Sequence, residues 1–321
     1  MTQTTDKIET IDKRDFKILL LEEINQKAVD DLKVQGYTNI EYHNSQLPEN
    51  ELIEKIKDVH FIGIRSNTNL TKEILTHAKN LKVIGAFCVG TNQIDLEYCK
   101  SNNIEVINSR FENSRSVAEL IIGEIIMLLR NIPLKNAQMH KGIWTKNASN
   151  SHEIRHKKLG IIGYGFIGSQ IGILAEALGM EVNYFDMMKK ETFGNAKSLK
   201  SMEEVLKISD VVTMIIPANT RNYIISDKEL NMMKSGSIFI NAGRGQTLDT
   251  KALITALKSG KLAGAGLDVF EDEPSSNEEE FISELREFDN VILTPHVGGS
   301  TTEAQIGIAT DVIEELIKLI Q

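Results

Sequence analysis

Short apolar runs alternate with amphipathic segments along almost the whole chain. In the first third, apolar runs predict strands at 17–21, 39–42, 61–64, 83–86 and 105–108. Apolar residues at helical spacing fall between them, at 25–33, 48–56 and 71–78. Strands and helices that alternate in this way are typical of βαβ units, in which the strands run parallel. We therefore predict that the first third forms a small α/β domain.

The pattern changes after residue 109. A longer apolar helix is predicted over 116–130, and a polar segment, 131–156, follows it. A second series of predicted strands then begins, at 158–162, 181–185, 211–216, 237–241, 264–269 and 291–294. Six strands with intervening helices fit a dinucleotide-binding sheet. The last amphipathic stretch, 302–320, is expected to form one helix that packs back on the first domain.

The two series predict an α/β fold of two doubly wound parallel-sheet domains, with a Rossmann domain inserted in a flavodoxin-like domain. We place the first part of the outer domain at 1–112, the inserted domain at 113–299 and the returning helix at 300–321. A length of 321 residues agrees with this division, because one hydrophobic core seldom serves so long a chain.

The composition narrows the classes of partner. The net charge is -9, and so acidic a protein repels nucleic acid and anionic membranes.

The two cysteines, Cys88 and Cys99, are too few for a disulfide framework, suit a reducing cytoplasm and suggest no metal site. Residues 1–15 lack the apolar core of a signal peptide, and the most apolar helical run, 118–129, is too short to span a bilayer. We expect a cytoplasmic protein.

A glycine fingerprint, Gly163-Tyr164-Gly165-Phe166-Ile167-Gly168, directly follows a predicted strand. A helix is predicted after it, and an acidic residue, Asp186, ends the next strand. These three features together are typical of dinucleotide binding. Gly163 would permit the tight turn, Gly165 would admit the pyrophosphate, and Gly168 would let helix and strand pack closely.

Asp186 also bears on which dinucleotide is bound. Its carboxylate can accept hydrogen bonds from the ribose hydroxyls and would repel a 2′-phosphate, so NAD is favoured over NADP. Lys189 and Lys190 follow closely and weaken that preference, because a lysine could reach a phosphate.

Three polar residues follow predicted strands further along the chain, at the sheet edge where ligands bind. Arg244 lies between two glycines, and its planar fork of donors suits the carboxylate and carbonyl oxygens of an α-keto acid. His296 precedes a glycine pair and can exchange the proton that moves when an alcohol becomes a ketone. Glu273 is the candidate carboxylate that would orient the imidazole and favour its protonated form.

This combination resembles the D-2-hydroxyacid dehydrogenase family over essentially the whole chain. The resemblance implies that Arg244 binds and polarises the substrate, that His296 is the acid/base and that Glu273 tunes it. It implies that the outer domain binds the substrate carboxylate through backbone N–H groups of loop 87–90, with Val89 and Gly90 among them. It also places five residues near NAD: Ile167, Pro217, Ala242, Asp268 and Gly298.

Several stretches look like one branch of that family, the bacterial D-3-phosphoglycerate dehydrogenases, which oxidise D-3-phosphoglycerate to 3-phosphohydroxypyruvate in the first step of L-serine biosynthesis. These stretches are 61–66, 87–93, 115–120 and 140–144. The branch implies that Arg65 and the adjacent Ser66 bind the substrate phosphate, and that Lys146 reaches into the active site of a partner subunit. It agrees with a homodimer formed through the NAD domain, or a tetramer.

Two departures keep other functions open. Asn67 stands where the branch usually has a second phosphate-binding arginine, which favours a reductase of glyoxylate, hydroxypyruvate or 2-oxoglutarate. The sequence also stops without the C-terminal ACT domain that binds serine, so we expect no inhibition by serine. From a different class, a corepressor-like protein could keep this fold to sense NAD(H).

Overall fold

The chain divides into two units, and the second is inserted in the first. Unit 1 comprises Met1–Asn113 and Ser300–Gln321, and unit 2 comprises Ser114–Gly299. The structure, a computed structural model, describes residues 11–217, 223–274 and 278–320. Most of the stretch 1–15, for which we expected no signal peptide, lies outside the described residues.

The secondary structure alternates between strands and helices through both units. The strands are β1 (Ile18–Leu20), β2 (Ile40–Tyr42), β3 (Phe61–Ile64), β4 (Val83–Ala86), β5 (Glu105–Asn108), β6 (Lys158–Ile162), β7 (Glu181–Phe185), β8 (Lys197–Ser198), β9 (Val211–Met214), β10 (Ser237–Asn241), β11 (Leu262–Leu267) and β12 (Val291–Leu293). The helices are α1 (Gln26–Val34), α2 (Glu49–Ile56), α3 (Lys72–Leu75), α4 (Leu96–Ser101), α5 (Ser114–Leu129), α6 (Ile132–His140), α7 (Phe166–Ala177), α8 (Met202–Ile208), α9 (Asp227–Met232), α10 (Thr250–Lys258) and α11 (Thr302–Ile320).

Unit 1 is built on a five-stranded parallel sheet in the order β2-β1-β3-β4-β5. Every residue of β3 and β4 is buried, because helices cover both faces of the sheet. Apolar side chains of α1 and α11 pack on one face, and those of α2, α3 and α4 pack on the other. The carboxyl ends of the strands are left to carry loops.

Helix α11 packs within unit 1, although it follows unit 2 in the sequence. Ile308, Val312 and Leu316 are buried in the same apolar cluster as Phe61 and Val83 of the sheet. These helical residues recur every four positions, so they form one apolar stripe along the helix. The stripe fixes the C-terminal segment on the sheet of unit 1.

Unit 2 is built on a seven-stranded parallel sheet in the order β12-β11-β10-β9-β6-β7-β8. Strand β6 pairs with both β7 and β9, so the strand order reverses there, and such a switch point is where open α/β sheets bind ligands. Helices α5 and α7 cover one face of the sheet, and α8, α9 and α10 cover the other. The predicted fold class of two parallel-sheet α/β domains is confirmed.

Two elements of unit 2 differ from the sequence prediction. We predicted six strands, and the additional one is β8, two exposed residues that pair with β7 at the sheet edge. Helix α6 lies in the segment predicted only as polar, and none of its residues is buried. Neither element has the apolar periodicity from which the other elements were predicted.

The described ranges contain no helix that combines the length and apolarity needed to cross a membrane.

Candidate active site

The glycine fingerprint forms the turn between β6 and α7. Gly163 has a φ of +94°, which glycine adopts without strain. A Cβ at Gly168 would collide with the carbonyl oxygen of Gly163, so the helix packs on the turn backbone to backbone. A Cβ at Gly165 would meet no described atom within 4 Å. The turn therefore presents bare main chain at the start of a helix, where the helix dipole stabilises anionic groups.

Asp186 lies just after β7, beside the fingerprint turn. Its carboxylate accepts hydrogen bonds from the backbone N–H groups of Tyr164, at 2.9 Å, and Met188, at 2.8 Å. The ammonium of Lys190 lies 3.9 Å from the same carboxylate. Asp186 thus ties the end of β7 to the fingerprint, and Lys190 partly offsets the negative charge that would repel a 2′-phosphate.

Arg244 follows β10 in a turn that the neighbouring backbone confines. A Cβ at Gly243 would lie 2.9 Å from the backbone nitrogen of Ile216, and a Cβ at Gly245 would collide with the carbonyl of Phe270. The two glycines are therefore required by close backbone packing. The guanidinium donates to the Gly243 carbonyl at 2.8 Å.

Asn241, which sequence reasoning did not select, holds that turn through side-chain hydrogen bonds to its backbone. It is fully buried, its Oδ1 accepts from the Gly243 N–H at 3.1 Å, and its Nδ2 donates to the Arg244 carbonyl at 3.2 Å. The hydroxyl of Thr247 donates to the same carbonyl at 2.5 Å. The turn is thereby held at the Gly243 N–H before Arg244 and at the Arg244 carbonyl.

His296 and Glu273 form a hydrogen-bonded pair. The imidazole Nδ1 lies 2.8 Å from Glu273 Oε2, and since a carboxylate only accepts, Nδ1 carries the hydrogen. The other carboxylate oxygen accepts from the Phe270 N–H at 3.1 Å. His296 has a left-handed φ of +53°, and 48% of its side chain is exposed. Nε2 is therefore the ring nitrogen that remains to exchange a proton with a ligand.

The charges around this pair favour the imidazolium–carboxylate state. The hydrogen bond to Glu273 raises the pKa of His296 above its ordinary value of 6.5, burial opposes that rise, and the charge of Arg244 also opposes it. Partial burial would raise the pKa of Glu273, but the hydrogen bond and charge of His296, with Arg244, hold it below 4.5. Arg244 thus lies close enough to both residues for its charge to act on them.

Asp268 holds the loop that carries His296. It is 2% exposed, and its carboxylate accepts from the Thr294 hydroxyl at 2.7 Å and from the N–H groups of Val297 and Gly298, each at 2.8 Å. The resemblance had placed Asp268 near NAD, and no feature of its own segment predicted this loop-holding contact. The carboxylate thus holds the loop on both sides of His296, through the Thr294 side chain before it and through backbone N–H groups after it.

In unit 1, Arg65 and Ser66 directly follow β3, and Val89 and Gly90 lie in the loop after β4. Arg65 is half-buried and Ser66 is exposed. The Asn108 side chain donates to the Val89 carbonyl at 2.7 Å. The segments that the resemblance assigns to the substrate thus both lie at carboxyl ends of parallel strands, where such sheets bind ligands.

The remaining predicted residues lie in unit 2. Pro217 is exposed beyond the end of β9, and Ala242 is half-buried beside the Arg244 turn. Gly298 is buried, and a Cβ there would lie 2.8 Å from Asp268 Oδ2. Lys146 lies in a fully exposed stretch, next but one to Trp144, whose exposed fraction is 75%.

The model for the NAD binding domain of D-isomer specific 2-hydroxyacid dehydrogenases matches residues 122–298, more than half of the chain. The chain belongs to this family. The resemblance inferred from the motifs is thereby confirmed: the protein is an NAD-dependent D-2-hydroxyacid dehydrogenase.

Relatives of this dehydrogenase match it along almost its whole length. The D-3-phosphoglycerate dehydrogenase of Haemophilus influenzae is 52% identical over 316 residues, which cover 98% of this chain and 77% of that protein. The D-3-phosphoglycerate dehydrogenase of Escherichia coli strain K12 is 50% identical over 311 residues, which cover 96% of this chain and 76% of that protein.

Solved structures of the family share the fold of this dehydrogenase. The TT0316 protein of Thermus thermophilus matches it with a TM-score of 0.86 at 28% identity, over 95% of this chain and 96% of that one. The D-lactate dehydrogenase of Aquifex aeolicus, complexed with NAD and lactic acid, matches with a TM-score of 0.79 at 29% identity, over 95% of each chain.

The residues of unit 2 fit NAD. The bare backbone at Gly165 leaves the space that a pyrophosphate needs beside the start of α7. Asp186 would supply a carboxylate at the end of the next strand for the adenosine ribose. Arg244 and His296 follow β10 and β12 of the same parallel sheet that carries this turn after β6.

Proposed function

We propose that this dehydrogenase oxidises D-3-phosphoglycerate to 3-phosphohydroxypyruvate with NAD, the first step of L-serine biosynthesis. The observation that carries the chemistry is the hydrogen-bonded His296–Glu273 pair with Arg244 close enough to act on both. The choice of substrate rests on the relatives named D-3-phosphoglycerate dehydrogenase, at 52% and 50% identity.

In the proposed oxidation, a hydride leaves the alcohol carbon, C2, and a proton leaves its hydroxyl oxygen. The C2–H bond breaks as its hydride leaves, and NAD, when bound in unit 2, would supply the acceptor for that hydride. Neutral His296 accepts the hydroxyl proton at Nε2, and the C2–O bond becomes a carbonyl. The guanidinium of Arg244 binds the carboxylate and the developing carbonyl oxygen of the substrate. In the reverse reaction, the reduction of the keto acid, the same contacts orient the carbonyl carbon to receive the hydride.

Glu273 would act through the histidine. Its hydrogen bond fixes Nδ1 as a donor and stabilises the imidazolium that the oxidation creates. In the reduction of the keto acid, the same imidazolium returns its proton to the carbonyl oxygen. The raised pKa of His296 therefore makes the protonated acid available near neutral pH.

For the substrate, we assign the phosphate to Arg65 and Ser66 and the carboxylate to the backbone N–H groups of Val89 and Gly90. Arginine suits phosphate because its planar fork donates two hydrogen bonds at once. We assign Lys146 to the active site of a partner subunit in a homodimer formed through unit 2. Exposed apolar side chains near Lys146 support that interface: Ile132, Met139, Ile143 and Trp144.

A substrate panel tests the reaction. The disappearance of NADH absorbance is followed with 3-phosphohydroxypyruvate, 2-oxoglutarate, glyoxylate and hydroxypyruvate, and kcat/KM values are compared. We expect the phosphorylated acid to have the highest value. A higher value for 2-oxoglutarate or glyoxylate would assign the protein to another reductase, and NADH binding without turnover of any acid would favour an NAD(H)-sensing protein.

Light scattering under assay conditions tests the subunit interface. A mass of twice or four times 35.9 kDa is expected. A mass equal to one chain, with full activity, would remove Lys146 from the proposed role.

A further inference from the structure

Glu22, at the end of the first strand of unit 1, is an acidic residue in an unusual position. Only 6% of it is exposed, and it has a left-handed φ of +63°, followed by Glu23 at +51°. Two consecutive non-glycine residues in this region are strained, because Cβ crowds the carbonyl oxygen. Such strain persists only where surrounding contacts enforce it.

Those contacts come from the segment after β3. Glu22 Oε1 accepts from the backbone N–H groups of Arg65, at 3.1 Å, and Thr68, at 2.9 Å, and Oε2 accepts from Asn67 at 2.9 Å. The Glu22 carbonyl also lies 3.5 Å from Arg65 Nη1. One buried carboxylate thus binds three N–H groups of the segment 65–68 through charge-assisted hydrogen bonds.

Gln93 holds the same segment from the other side. Its Nε2 donates to the Arg65 carbonyl at 2.6 Å and lies 3.4 Å from the Gly90 carbonyl. The Arg65 backbone is therefore bound at its N–H by Glu22 and at its carbonyl by Gln93. Because Gln93 also contacts Gly90, it links the segment after β3 to the loop 87–90.

We propose that Glu22 and Gln93 are positioning residues, which hold Arg65 and the loop 87–90 as one preorganised surface for the anionic groups of the substrate. This inference rests on the proposed function, in which those two segments bind phosphate and carboxylate. Neither positioning residue binds the substrate itself.

The hydrogen bonds to Glu22 also explain why the segment 65–68 would bind an anion through the Arg65 side chain and not through its backbone. The N–H groups of Arg65, Asn67 and Thr68 point to a negative charge, so they are not available to an anionic ligand. The same negative charge lies behind the segment and repels an anion. The Arg65 guanidinium therefore supplies the attraction for the anion at this segment.

Glu22→Gln is the first test, with Glu23→Gln as the matched control. Glutamine offers one acceptor oxygen, so its NH2 group must face at least one N–H that now binds the carboxylate. The control removes the same charge from the adjacent, exposed residue. We expect Glu22→Gln to raise the KM for 3-phosphohydroxypyruvate roughly 10- to 100-fold, while kcat stays within about threefold and the Kd for NADH is unchanged. Glu23→Gln should match the wild type.

A double-mutant cycle with Arg65→Ala separates positioning from a general loss of structure. If Glu22 acts through Arg65, Glu22→Gln raises KM by less than about threefold once the guanidinium is gone. An equal increase in both backgrounds, or a wild-type KM for Glu22→Gln alone, would overturn the proposal.

Hydrogen exchange gives a readout that does not need the substrate. The backbone N–H groups of 65–68 should exchange faster in Glu22→Gln than in Glu23→Gln, because they lose their acceptor. Equal exchange in the two variants would refute the inference. If the wild type reduces another acid instead of 3-phosphohydroxypyruvate, the substrate assignment is wrong. The role of Glu22 is then tested by the hydrogen exchange of 65–68 and by the KM of Glu22→Gln for that other acid.

Gln93→Ala tests the same surface if Glu22→Gln fails to fold. Its loss frees the Arg65 carbonyl, so we expect the same rise in KM with kcat and NADH binding preserved. A normal KM in Gln93→Ala would contradict the shared role of the two residues.

Discussion

Glu124 lies on α5 in the interior of unit 2. It is 0% exposed, and neither carboxyl oxygen has a hydrogen-bond partner among the described residues. Gly266 makes room for it, since a Cβ there would lie 2.6 Å from Glu124 Oε2. Burial raises the pKa of Glu124 to about 8, and the negative charge of Asp268 adds to the rise. The carboxyl group is therefore protonated at neutral pH.

Glu124→Gln replaces this acid by a neutral group of the same shape. Between pH 4.5 and about 8, the folded wild type keeps a proton that the unfolded chain has lost. Its free energy of unfolding therefore falls by up to ~1.4 kcal/mol for each pH unit in that window, and the fall levels off above it. The variant has no such proton. We expect Glu124→Gln to equal the wild type near pH 4.5 and to become progressively more stable as the pH rises.

Urea unfolding followed by circular dichroism, at intervals from pH 5 to 8.5, measures this difference. Glu119→Gln is the control, because Glu119 is an exposed acid on the same helix and its ion pair with Arg115 lies at the surface. The control should keep the pH dependence of the wild type. If Glu124→Gln also runs parallel to the wild type across this range, Glu124 is charged in the fold and the reasoning fails.

Three further predictions concern the proposed catalytic residues. His296→Asn should lower kcat by roughly 10²- to 10⁴-fold while NADH binding survives; unchanged turnover would exclude its acid/base role. Because the hydrogen bond to Glu273 raises the pKa of His296, kcat/KM for reduction should stay constant at low pH and fall as the pH rises through a value above 6.5. Glu273→Gln should shift that fall to lower pH, and an unmoved profile would assign it to another group. Arg244→Ala should raise KM and lower kcat together, since a bidentate contact to a charged ligand is lost; normal values for both would rule out substrate polarisation by Arg244.

Most of the fold could be predicted from short apolar runs and from apolar residues at helical spacing. Strand β3, for example, has the predicted bounds because it is a short apolar run between two polar residues, His60 and Arg65. Strand β8 was missed because Lys197 and Ser198 are exposed at a sheet edge, where burial imposes no pattern. Helix α6 was missed because none of its residues is buried, so its sequence carries no apolar periodicity. A local reading finds elements that bury apolar side chains and misses those that do not.

The candidate site divides in a similar way. The glycine fingerprint and the strand-end Arg244 and His296 could be selected because glycines and strand ends mark them in the sequence. Asn241 and Glu22 could not, and the resemblance selected Asp268 only as a residue near NAD. Each of the three acts by binding backbone N–H groups of loops. For Asp268 and Glu22 those loops lie about 30 to 45 positions away in the chain, and a carboxylate that binds a distant backbone has no local signature.

The three hydrogen bonds that Asp268 accepts have a consequence for mutational surveys. Replacing this carboxylate would release the Thr294 side chain before His296 and would leave the N–H groups of Val297 and Gly298 without this acceptor. A survey scored only by turnover would then rank Asp268 beside the histidine itself. Measuring both folding and turnover for every variant distinguishes an architectural carboxylate from one that takes part in proton transfer.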